Sequence, residues 1–141
     1  MGLFDALGIS GSGLSAQRLR MDVTAENLAN AQSIGYKRKD VVLRETGNDG
    51  GFGGVLRGAM AGSPAGSGVE VQQIATDPTQ GRRVYDPGNP AADARGYVTM
   101  PNVNTVTEMT DLISSSRAYE ANVTAMQAAK QMFSKTLDLL R

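Results

Sequence analysis

Two pairs of carboxylates lie close together in the sequence, Glu45 with Asp49 and Asp86 with Asp93. They supply oxygen ligands, but their spacing is not that of a calcium loop. The chain has no His and no Cys. That removes the commonest general base, the commonest metal ligand, thiolate nucleophiles and disulfides. A Ser-His-Asp triad is excluded with them, and nothing in the sequence places a Ser-Lys dyad. The basic run "YKRK" at 36–39 lacks the repeated patches and interleaved aromatics of a nucleic-acid surface, and reads as a solvated turn after a helix. The stretch "GNDGGFGGVLRGAMAGSPAGSG" at 47–68 holds nine glycines. It lacks the trailing Gly-Lys-Ser/Thr of a phosphate-binding loop and reads as a surface loop. "NVT" at 122–124 matches a glycosylation sequon but falls within a predicted helix. These residues indicate no enzyme, no cofactor and no metal site.

The bulk properties agree. Lys+Arg and Asp+Glu number 14 each in 141 residues, so no net charge draws the chain to nucleic acid or an anionic membrane. Aromatic residues make up 5% and Trp is absent, which argues against a thick globular core. The opening "MGLFDALGIS" has no basic segment and no long apolar run, so a cleaved secretory signal is not expected, nor is a membrane span. Ala6 occupies the position where a myristoylation motif needs Ser or Thr.

Three regions follow along the chain. Residues 1–35 form an N-terminal helix, with Ser12 as its predicted N-cap and Gly35 just past its end. Leu7, Leu14, Met21 and Leu28 recur every seven residues, while Ala16, Leu19 and Val23 lie on the opposite face. Residues 105–141 form a C-terminal helix about 50 Å long. Thr105 and Glu108 have the spacing of a capping box. The apolar positions Met109, Leu112, Tyr119, Val123, Met126, Phe133, Leu137 and Leu140 step by threes and fours, as in a coiled-coil seam. Ala118, Ala121, Ala125, Ala128, Ala129 and Met132 make a second, mostly small face. Residues 36–104 hold the glycine-rich loop and strand candidates "DVVLRE", "VEVQQIA", "RRVYD" and "GYVTM".

The expected fold is therefore mainly α with a small β subdomain. The long terminal helices pair as an antiparallel coiled coil, and a β-hairpin-containing insertion lies between them. The intramolecular seam is assigned to Leu14, Met21, Leu28, Leu112, Tyr119, Val123, Met126, Phe133 and Leu137. One hairpin covers one face of each helix, so the second faces require further partners. Ala16, Leu19, Val23, Ala118, Ala121, Ala125, Ala128, Ala129 and Met132 are the subunit-interface candidates. A filament of repeated copies supplies such partners. A soluble helical-hairpin adaptor or chaperone that binds amphipathic client helices is the competing reading.

"AENLANAQSIGYKRKDV" (Ala25 to Val41) resembles the N-terminal motif of bacterial flagellar axial proteins, and "LFDALGISGSGLSAQRLRMDV" resembles their opening in rod proteins. The stretch from Tyr85 to Arg141 is similar to the C-terminal half of the same family, most tellingly at Pro101–Asn104 and Ser116–Asn122. The resemblance implies a structural subunit of the proximal rod of the flagellar basal body, the drive shaft that crosses the periplasm. It implies export through the flagellar type III apparatus without a cleaved signal peptide. It implies as partners other copies of the chain, the rod proteins FlgB, FlgF and FlgG, and the adaptor FliE. The terminal helices would form the inner tube wall and the β subdomain an outer layer.

Overall fold

The computed structural model describes residues 3–46 and 68–139. Helix α1 spans Leu3–Ala29, strand β1 Lys39–Glu45, β2 Val69–Thr76, β3 Arg83–Tyr85, β4 Tyr97–Thr99, and helix α2 Thr105–Leu139. All four strands fall on the segments expected from alternation and flanking turns. Strand β1 pairs with β2 and β3 with β4, in two separate two-stranded sheets. The β3–β4 ladder is antiparallel, with Arg83 opposite Thr99, Val84 opposite Val98 and Tyr85 opposite Tyr97. Of the glycine-rich stretch at 47–68, all but Gly68 lies outside the described residues, as does Leu140.

Two helix starts differ from expectation. Helix α1 begins well before Ser12, although Gly8, Gly11 and Gly13 each disfavour helix by about 1 kcal/mol relative to Ala. Ser12 is not a cap: its hydroxyl donates to the Ile9 carbonyl at 2.7 Å and accepts from the Val69 amide at 3.0 Å. Helix α2 is capped by Asn104 rather than by a Thr105–Glu108 box. The Asn104 Oδ1 accepts from the amides of Val106 (3.0 Å) and Thr107 (3.4 Å), the usual way an Asn satisfies first-turn donors. Glu108 is thereby released for another role. At the far end of α1 the helix stops at Ala29, and Gly35, with φ of +81°, lets the chain reverse into β1.

The chain divides into two compact units. Among the described residues, one comprises 3–18, 43–46, 68–72 and 116–139, and the other 19–42 and 73–115. In the first, the glycines of α1 permit close approach. A Cβ at Gly13 would sit 3.0 Å from the Asn122 Nδ2, and one at Gly11 would sit 3.9 Å from the Met126 Cε. Ala16 and Ala129 are buried there, and Arg44 pairs with Glu70. In the second unit, Val23 and Val41 are buried close to Thr24, Glu108 and Ser115, and Val98 is buried on β4 opposite Val84. Gly81 is required by its surroundings, because a Cβ there would lie 1.7 Å from the Met100 carbonyl oxygen. The β3–β4 hairpin is held by Asp93, whose carboxylate accepts from the Arg95 and Tyr97 amides and pairs with Arg83.

Candidate functional site

The helix positions assigned to a seam and to interfaces differ in their exposure within the single chain. Leu14, Met21, Leu28, Leu112, Tyr119, Val123 and Met126 are half-buried, whereas Phe133 and Leu137 are exposed. Of the interface candidates, Ala16, Val23 and Ala129 are already buried within the single chain, and Leu19 and Ala118 are half-buried. Ala121, Ala125, Ala128 and Met132 are exposed. The buried line of α2 runs through Glu108, Ser115 and Ala129, which fall on one seven-residue repeat of small and polar side chains. Small residues let helix backbones approach closely, and the large apolar residues are then left at the margins or in solvent.

What is left in solvent is considerable. Val106, Met109 and Ile113 are 71, 54 and 55% exposed, and Met132 and Leu137 are 58 and 51% exposed. Single exposed apolar residues are ordinary, but with Phe133 six large ones are exposed along α2. No helix among the described residues is long and apolar enough to cross a membrane.

The most constrained part of the second unit is a polar clasp. Asn27, 1% exposed, uses its full hydrogen-bonding capacity. Its Nδ2 donates to the Lys39 carbonyl (2.8 Å) and to Glu108 Oε2 (3.0 Å). Its Oδ1 accepts from the Lys39 amide and the Tyr36 hydroxyl, both at 2.9 Å. The amide thus pairs with the Lys39 backbone as a neighbouring strand would, and ties the end of α1 to the start of β1. Glu108, also 1% exposed, accepts at its other oxygen from Arg38 Nε at 2.6 Å. The Arg38 amide donates to Asn102 Oδ1 at 2.9 Å. That hydrogen bond from Arg38 to Glu108 pushes the already basic guanidinium further up. Burial, and after it the Glu26 carboxylate, pushes the Tyr36 phenol up. The "YKRK" run is therefore no solvated turn: Arg38 holds a buried carboxylate and Lys39 pairs with Glu26.

None of Asn27, Tyr36, Arg38, Asn102 or Glu108 stands out to sequence reasoning as a site. The available signal is positional: Asn27 lies four residues after Val23 and eleven after Ala16, a polar residue on an interior line. The clasp satisfies every donor and acceptor of the Asn27 amide, leaves the buried Asn102 Nδ2 without a partner among the described residues, and presents no reactive group. Among the described residues, no group of three or more acidic, His or Cys side chains could hold a metal ion. The arrangement is that of a scaffold with an exposed apolar helix.

Two family models match the chain. Residues 7–37 match the flagella basal body rod protein family, and residues 94–139 match the C-terminal family of flagellar basal body rod FlgEFG proteins. The chain is similar over nearly its whole length to curated proteins named flagellar basal-body rod protein FlgC. The protein of Bacillus subtilis is 45% identical, covering 99% of each chain. That of Yersinia enterocolitica is 43% identical, covering 99% of this chain and 98% of its own. That of Borreliella burgdorferi is 38% identical, covering 100% of this chain and 99% of its own.

Proposed function

Because the chain belongs to the family of the flagellar basal-body rod protein FlgC, we propose that it is a structural subunit of the proximal rod and works by assembly rather than catalysis. The observation that carries this reading is the exposed apolar surface of α2, at Val106, Met109, Ile113, Met132 and Leu137. A chain with no net charge and this much apolar helix in water gains by burying it against neighbours.

In this reading residues 1–35 and 105–141 are the inner, wall-forming part, and residues 36–104 lie outside it. The terminal helices run antiparallel as a coiled coil. The approach of Gly11 to Met126 and of Gly13 to Asn122, and the Asn27–Glu108 bond, support that direction, since the partner number falls as the first rises. The exposed Ala121, Ala125, Ala128 and Met132 then meet adjacent subunits, and Leu14, Met21 and Leu28 flank the intramolecular contact. Contacts that do not close into a ring propagate as a helical tube. The partners are other copies, the rod proteins FlgB, FlgF and FlgG, and the adaptor FliE, with delivery by the type III export apparatus to the basal body. The test is co-purification: the chain should be recovered in detergent-extracted basal bodies and lost from them when flagellar assembly is blocked upstream of the rod. Recovery only as a discrete soluble oligomer would refute the proposal.

A further inference from the structure

No further inference is drawn: the strongest candidate, the exposed face of the β3–β4 hairpin where Arg83 lies over the Tyr97 ring and Tyr85 packs edge-on against it, is a surface patch for which nothing in the structure shows what covers it.

Discussion

Replacing Asn27 probes the clasp directly. Asn27→Leu is close in size and removes all four hydrogen bonds. The Glu108 oxygen at 3.0 Å loses a donor on a side chain only 1% exposed, and the Lys39 amide loses its acceptor. A hydrogen bond to a charged group contributes roughly 1.5–3 kcal/mol and an orphaned amide about 1 more, so the expected loss is about 3 kcal/mol. Asn27→Asp is nearly isosteric and keeps the two accepted bonds. Its two donated bonds become contacts of a carboxylate with Glu108 and with the Lys39 carbonyl. That loss is about 4 kcal/mol at neutral pH, within the range for an uncompensated buried charge. The new carboxyl would have a folded pKa raised by Glu108 above its unfolded value. Its penalty is therefore full above that folded pKa and shrinks as pH falls toward the ordinary carboxylate range, while the Asn27→Leu penalty changes little. Urea unfolding of the full-length chain, followed by circular dichroism across pH, measures both. Hydrogen exchange at the Lys39 amide should accelerate in Asn27→Leu. Losses under about 1 kcal/mol in both variants, or a pH-independent Asn27→Asp penalty, would refute the clasp as the tie between α1, β1 and α2.

Three further outcomes are expected. Gly81→Ala should disrupt the β3–β4 base, since its methyl collides with backbone at Met100; faster exchange of the Met100 amide, which donates to the Arg82 carbonyl, would register it. Gly68→Ala should destabilise the chain by crowding the Ser12 hydroxyl at 2.6 Å, and Ser12→Ala should relieve most of that loss in a double-mutant cycle of unfolding energies. The backbone amides of Tyr97 and Arg95 hold the Asp93 carboxyl below its usual range, so its stabilising contribution is present above the ordinary carboxylate pKa and lost as pH falls through the lowered one. Exchange protection at the Arg95 and Tyr97 amides should fall over that acidic window and be insensitive to pH between 6 and 8, a span well above the carboxylate range of about 4.

Much of the architecture is legible because it rests on local signals. The strands follow alternation at "DVVLRE" and "VEVQQIA", and α2 runs 35 residues through a stretch with no Pro or Gly. The helix starts are less legible. Ser12 has the right chemistry for a cap but sits where tertiary contacts with Val69 and Asn122 support helix through three glycines. Thr105 and Glu108 have capping-box spacing, yet Asn104 is one residue earlier and Glu108 is taken by Asn27 and Arg38. The inward face is hardest to read. Heptads of Leu14, Met21 and Leu28 are conspicuous by size, while burial is most complete at Ala16, Val23, Asn27, Glu108, Ser115 and Ala129. Periodicity gives weight to large apolar residues, but closely approaching backbones select small ones, and a satisfied polar pair is as buried as a Leu. The clasp needs three segments, at Asn27, Arg38 and Glu108, and spacing along the sequence carries no sign of such a meeting.

In the proposed wall the exposed small face of α2 becomes buried against a neighbouring subunit. Ala125 is exposed in the chain, so Ala125→Glu should leave the unfolding energy of the free protein within about 0.5 kcal/mol of wild type. In a packed wall the same substitution would bury an unpaired charge, at several kcal/mol. The measurement is the amount of the variant in purified basal bodies, set against its amount in the export fraction and against motility. Normal export, near-absence from basal bodies and no motility are expected. Normal incorporation with motility would show that this face stays in solvent, contrary to the proposed wall.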